Sequence, residues 1–231
     1  MDRKKLLKGV IDIHVHAGPS VAARELDAAD MLKEAEAAGY RGFLVKDHYF
    51  PSMMGCQMVQ RHLGSGSVEV FGSMCLNNAM GLFNLNAVDV AYGMGAKMIY
   101  FPTVSSKNHI DAHKGHFAGA GKMSVPETPV VYVDENGRLD PAAVRILEYM
   151  SEKDMALGTG HGSAREVDAL VRKAVEVGMK KILVNHPHFH IGATYEQMRQ
   201  WAALGAYIEL NVCVFSEGSK MGPLPTTILE E

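Results

Sequence analysis

Residues 10–48 run VIDIHVHAGPSVAARELDAADMLKEAEAAGYRGFLVKDH and spell out one complete strand–helix–strand unit. VIDIHVH, residues 10–16, alternates apolar and polar side chains with period two, the pattern of a strand with one face in a core. Asp27 can cap the helix that follows, and Gly39 can end it in a left-handed conformation. RGFLVKDH, residues 41–48, supplies the second strand.

The same order repeats along the chain. A helix from about 51 to 62 precedes SVEVFGSM (67–74), and a helix around 82–94 precedes KMIYFPT (97–103). The next helix starts at Asp140 with Pro141 in its first turn, where a missing N–H costs nothing. MALGTGH (155–161) follows as the fifth strand. Ser163 and Glu166 then have the spacing of a capping box, and their helix closes at Gly178 before KKILVNH (180–186). Thr194 and Gln197 repeat the device before a seventh strand, AYIELNVCV (206–214).

Seven strands with helical crossovers predict an α/β protein of the (β/α) TIM-like barrel type, since right-handed βαβ units repeated in one direction close on themselves. An open doubly wound sheet is the runner-up, but the first βα turn carries no G-x-G-x-x-G and no P-loop occurs. No eighth strand is visible. PLPTTILEE at the end reads as a helix that stops, so the expectation is an incomplete barrel or a fragment lacking that strand. The chain is read as one domain, 1–231, with a long insertion at about 104–139. That insertion holds His109, His113, His116 and a hairpin, VVYVDENGRL, turning at Asn136 and Gly137. Placed after a strand's C-terminal end, it is expected to act as a lid or substrate-contacting segment.

The chain has 231 residues, 47% hydrophobic and 21% charged, enough to bury a core without disulfides or a structural metal. Its 23 Lys and Arg against 26 Asp and Glu, with no long run of one sign, argue against nucleic-acid or membrane-surface binding. A small-molecule substrate is the natural partner, and a homo-oligomer is left open. Cys56, Cys75 and Cys213 are odd in number and widely spaced, which excludes a disulfide framework or zinc ribbon and favours a reducing, cytoplasmic compartment. Lys8 and Asp12 interrupt the apolar N-terminus, so no signal peptide is expected, and no apolar run spans a bilayer.

Alternation along the first strand puts Ile11, Ile13 and Val15 on the face expected to pack on helices. Asp12, His14 and His16 then share the inward face. Lys46 and His48 point inward at the end of the second strand, while Asp47 faces away. His161 ends the fifth strand and His186 the sixth. In the seventh, Ile208, Leu210 and Val212 face outward and Glu209 inward. Of 11 histidines only His62 falls in a predicted helix; the rest gather at strand ends and in the loops beyond. The ordinary alternative is that each is a hydrogen-bonded core histidine, but recurrence at several strand ends favours convergence on a metal. His188 and His190, in HPHFH, suit a substrate-binding or supporting turn better than direct ligation.

This pattern resembles the amidohydrolase superfamily of metal-dependent hydrolases, through D-I-H-V-H at 12–16, T-G-H at 159–161 and N-H at 185–186. The resemblance implies that His14, His16, His161 and His186 bind one or two divalent metals, usually zinc, with manganese, iron or nickel as alternatives. Two features depart from that family. Its carboxylated lysine or glutamate at the end of the fourth strand is replaced by Tyr100, Phe101, Pro102 and Thr103, and its aspartate ending the eighth strand has no counterpart. Lys46 is either an alternative bridge or an ammonium that binds a substrate carboxylate or phosphate.

The expected reaction is hydrolysis of a C–N bond, an ester or lactone, or a phosphoester by metal-activated water. Lys46, His48 and Glu209 are the expected catalytic residues, with Asp47 and Glu217 as further carboxylates and Asp12 as a structural group that orients His14 or pairs with a neighbour. The alternatives are a metal-dependent decarboxylase of an unsaturated or aromatic acid and a non-catalytic metal-binding barrel.

Overall fold

The computed structural model describes residues 3–114, 117, 119–219 and 223–229. Packing divides the chain into two compact units: Met1–Tyr100 with Gly121–Glu127, and Phe101–Ala120 with Thr128–Glu231. Seven parallel strands are taken up in chain order, four in the first unit and three in the second. A mixed α/β succession of this kind is compatible with a TIM-like fold, and no eighth strand occurs among the described residues. No helix among them is long and apolar enough to cross a membrane.

The first unit runs α1 (Arg3–Leu7), β1 (Ile11–Val15), α2 (Ala28–Ala38), β2 (Gly42–Val45), α3 (Met53–Leu63), β3 (Glu69–Cys75), α4 (Leu85–Gly93) and β4 (Ala96–Tyr100). Asp27 caps α2 by accepting the N–H groups of Ala29 and Asp30, and Gly39 ends it at φ 79°. Ala28, Leu32 and Ala35, at helical spacing on α2, bury against Phe43 and Val45 of β2 and Val70 of β3. Residues of this kind contribute about 1.5–3 kcal/mol each when a large aliphatic side chain is fully buried. Gly72 on β3 lets α3 approach: a Cβ there would lie 2.5 Å from Met53 Cα.

The expected helix-facing set of β1 needs correction. Val15 packs on the core cluster, but Ile11 and Ile13 remain 39% and 38% exposed. Among the described residues β1 pairs with β2 alone, and part of its outer face stays exposed at these two residues.

The second unit runs α5 (Lys107–His113), α6 (Pro141–Glu152), β5 (Ala156–Gly158), α7 (Ala164–Glu176), β6 (Ile182–Val184), α8 (Tyr195–Ala203) and β7 (Tyr207–Ile208). Both capping boxes form, Ser163 with Glu166 at α7 and Thr194 with Gln197 at α8. Val167, Leu170, Val171 and Ala174 of α7 are fully buried, as is Trp201 of α8, whose indole N–H donates to Asp168 at 3.0 Å.

The seventh strand is shorter than expected. Pairing with β6 reaches Ile208, and the Glu209 N–H still donates to the Val184 carbonyl at 3.0 Å, but Val212–Phe215 is a 3-10 turn. Leu210 and Val212, expected on the packed face, are 45% and 82% exposed. The reason lies in the neighbour: after Val184 the chain turns at His186, φ 28°, into a π-helical turn over Pro187–Ile191, so no extended backbone remains to pair with.

The insertion also differs from a plain loop. Lys107–His113 is a helix, placing His109 and His113 one turn apart on one face. The expected hairpin shrinks to a turn with one antiparallel bridge, Val133 to Leu139. Asp134 Oδ1 takes the N–H groups of Asn136 and Arg138 at 2.9 and 2.8 Å, closing the chain locally and leaving little length for strands. His116 lies outside the described residues, as do the last two residues of the tail; Thr226–Leu229 is a single 3-10 turn.

Candidate functional site

In the first unit, chemistry gathers at the C-terminal ends of β1 and β2. The register between these strands shifts between Asp12 and Val15, an irregularity of the kind that re-aims side chains. Beyond it His14 Nε2 and His16 Nε2 lie 3.1 Å apart. Two nitrogens at that spacing subtend roughly 95–100° at a cation about 2.0–2.1 Å from each, so the pair fits a shared divalent ion. Lys46 is fully buried, with Nζ 3.2 Å from His14 Nε2 and 4.4 Å from the centre of the Tyr100 ring. The Tyr100 hydroxyl donates to the Ile13 carbonyl at 3.1 Å, fixing that ring against β1. The His48 ring, also buried, lies 4.7 Å from the His16 ring.

Asp12 acts on the His14 backbone. Its Oδ1 accepts the backbone N–H of His14 at 3.0 Å, so it holds the strand's backbone. Asp47 Oδ1 likewise accepts the N–H groups of Tyr49 and Phe50 at 2.8 and 3.0 Å, forming the turn that leaves β2.

Burial, and then the Lys46 charge, hold the His14 imidazole well below its ordinary pKa. Burial dominates at His16 too, with His14, Lys46 and Arg24 acting in the same direction and a hydrogen bond to the Lys46 backbone opposing them. Both rings are therefore neutral at pH 7, the form in which imidazole binds a metal. A group whose pKa is lowered on folding leaves the unfolded state with more protons below its unfolded value, near 6.5 for His. Stability of the metal-free protein is thus expected to be flat above about pH 6.5 and to fall below it. Each such group can contribute at most about 1.4 kcal/mol per pH unit to that fall. Urea unfolding at pH 7.5 and 5.5 measures it, and equal stabilities would contradict neutral burial of the pair.

In the second unit, His161 follows β5 on a sharp turn. Gly160, at φ 70°, sits where a Cβ would lie 2.3 Å from the Phe101 carbonyl oxygen, and the His161 N–H donates to the Pro102 carbonyl at 2.9 Å. His161 Nδ1 is 2.9 Å from His109 Nδ1, and the two rings stack at 4.9 Å between centres. The His113 ring lies 4.4 Å from that of His109, and the His186 ring 5.0 Å from that of His161. Asn185 ties three strand ends together: its Oδ1 accepts the Gly160 N–H at 3.0 Å, and its Nδ2 donates to Glu209 Oε2 at 3.1 Å. The same Glu209 oxygen accepts the His186 N–H at 3.1 Å, holding the backbone of the turn that presents this imidazole.

His188 stacks on Phe215 with 5.9 Å between ring centres and lines a cavity of about 190 Å³ with Tyr195, Met198 and Ile208. Glu217 is exposed. Sequence reading missed His109 as a neighbour of His161. The signal was present in the i, i+4 spacing of His109 and His113 after Ser106, a pattern that puts two imidazoles on one helical face.

Comparison with known proteins matches residues 9–209 to a family model described as "Family of unknown function (DUF6282)". No curated protein matches the chain. Among solved structures, a provisionally assigned deoxyribose-phosphate aldolase from Coccidioides immitis aligns at 12% identity and a TM-score of 0.47, over 90% of this chain and 73% of its own. A Xaa-Pro dipeptidase with methionine bound in its active site aligns at 14% identity and a TM-score of 0.48, over 87% of this chain and 52% of its own.

Proposed function

The chain belongs to DUF6282, a family described only as of unknown function, and for it we propose a metal-dependent hydrolase acting on a C–N, ester, lactone or phosphoester bond of a small molecule. The observation that carries this reading is the approach of His14 Nε2 to His16 Nε2, 3.1 Å, on two half-buried rings whose pKa values are held low. His14 and His16 are the metal-binding pair of the first unit, and His161 and His186 those of the second. Imidazole donors favour zinc over manganese, iron or nickel.

A divalent cation held by these imidazoles would supply hydroxide at neutral pH, by bringing the pKa of a bound water down to about 7. The chain's own residues do the rest. Lys46, buried beside His14, holds positive charge against an anionic substrate group or a developing negative charge. His48, packed on His16, carries a proton on its ring toward the leaving group. Glu209 positions His186 through its backbone N–H. Buried Cys56 and Cys75, with no disulfide, fit a reducing cytoplasmic setting. Residues 1–231 are read as one barrel domain carrying the 104–139 insertion, and a single calorimetric unfolding transition is the corresponding result.

Metal analysis of purified protein, before and after chelation, tests the reading. We expect one or two ions per chain, hydrolysis of an amide, lactone or phosphodiester panel that chelation abolishes, and recovery on adding zinc. Protein that takes up no divalent ion would overturn it. Carbon dioxide released from an unsaturated or aromatic acid without hydrolysis would replace it with a decarboxylase, and metal without turnover would leave a binding barrel.

A further inference from the structure

Arg24 lies in the loop that joins β1 to α2, outside every motif used so far. That loop is pinned at its base: the Gly18 N–H donates to the Leu26 carbonyl at 2.9 Å and the Ala28 N–H to the Gly18 carbonyl at 3.0 Å. Inside it the Ala22 N–H donates to Ser20 Oγ at 3.1 Å. The loop therefore presents the guanidinium from ordered backbone.

Arg24 Nε and Nη2 are buried and have no hydrogen-bond partner. Nearby, Asp47 Oδ2 is buried without a partner as well, its other oxygen being taken by the Tyr49 and Phe50 N–H groups. Leaving a buried charged donor or acceptor unmet costs more than leaving a neutral one, so unpaired atoms of opposite kind in one region call for a bridging group. Asp47 and Tyr49 both act on Arg24 electrostatically, and both line a cavity of about 220 Å³ with Pro19, Ser20 and Ser52. Arg24 also acts electrostatically on His16, one of the proposed metal-binding pair.

We propose that Arg24 is an anion-recognition residue. Its Nε–H and Nη2–H edge takes a carboxylate or phosphate group, and Asp47 Oδ2 accepts a hydrogen bond from a hydroxyl, amine or amide N–H next to that anion. Nε and one terminal nitrogen of a guanidinium form the fork that matches two oxygens of an oxyanion. The anion would thus belong to a small molecule that carries a donor beside its acidic group. Treating that molecule as the substrate rests on the metal-dependent reaction proposed above; the binding of the anion does not.

The test uses the full chain, chelated free of metal, in NMR titrations with acetate and with inorganic phosphate, against sodium chloride at matched ionic strength. The Arg24 Nε–H resonance is identified by its absence from Arg24→Gln. The expected result is a saturable shift of that resonance with acetate or phosphate but not chloride, the responding anion naming the class. Arg24→Gln should weaken binding by at least about tenfold, and Arg24→Lys, which keeps the charge but loses the fork, should fall between.

A wild-type chain whose Nε–H resonance responds to neither anion, or to chloride equally, overturns the proposal. So does an Arg24→Gln variant that binds as tightly as the wild type; should that variant not fold, the wild-type titration decides alone. Metal content measured on the same preparations separates the two readings: anion binding without metal uptake sinks only the hydrolase, and metal uptake without anion binding sinks only this inference.

Discussion

Replacing His14 and His16 together by alanine is expected to lower metal affinity by more than about 100-fold, beyond the roughly 10- to 100-fold that loss of a supporting hydrogen bond alone causes. The two nitrogens, 3.1 Å apart, are direct donors in the proposed site, so no remaining contact of that pair survives the change. Hydrolysis should fall with the metal. The same variant lacks the half-buried imidazole pair, so its metal-free stability should change less between pH 7.5 and 5.5 than that of the wild type. The corresponding His161→Ala, His186→Ala variant reports on the second unit. Unchanged metal content in both would remove the basis of the proposed function.

Gly160→Ala is expected to destabilise the protein by about 2–5 kcal/mol, combining left-handed strain with overpacking. The residue sits at φ 70°, and its Cβ would lie 2.3 Å from the Phe101 oxygen and 2.5 Å from the Pro102 oxygen, both backbone atoms with no room to yield. Gly178 makes the comparison fair: it too has positive φ, 89°, but its Cβ would meet nothing nearer than Ser151 Oγ at 3.6 Å. Gly178→Ala should therefore cost only the backbone strain, about 1–2 kcal/mol. Urea unfolding of both variants separates the contributions, and a Gly160→Ala loss no greater than that of Gly178→Ala would refute the close packing before His161. Because that glycine sets the entry of His161, any folded Gly160→Ala protein should also bind metal more weakly.

Much of the fold was legible because local rules and burial agree. Asp27 and Gly39 around α2, the capping boxes at Ser163 and Thr194, and Pro141 at the start of α6 each act within a few residues, so sequence spacing alone reveals them. Where the reading fell short, the deciding contact came from elsewhere in the chain. AYIELNVCV has the alternation of a nine-residue strand, yet β7 is two residues long because its neighbour turns away at His186. Ile11 and Ile13 have a strand's apolar face but only one paired neighbour among the described residues. Histidine positions were equally legible as strand-end residues. Their partners were not: His109 reaches His161 from a helix 52 residues earlier in the chain.

The amino-acid order by itself determined the βαβ succession, the ends of most helices and the residue types available for chemistry, because periodicity, caps and turn residues act over one or two turns of chain. Tertiary structure alone decided which of those groups meet. His14 and His16 meet with their Nε2 atoms 3.1 Å apart, Lys46 is buried against His14, and Glu209 is engaged by the His186 backbone. It also leaves two nitrogens of half-buried Arg24 and one oxygen of buried Asp47 without hydrogen-bond partners, a property of packing around a loop that no spacing in the sequence encodes.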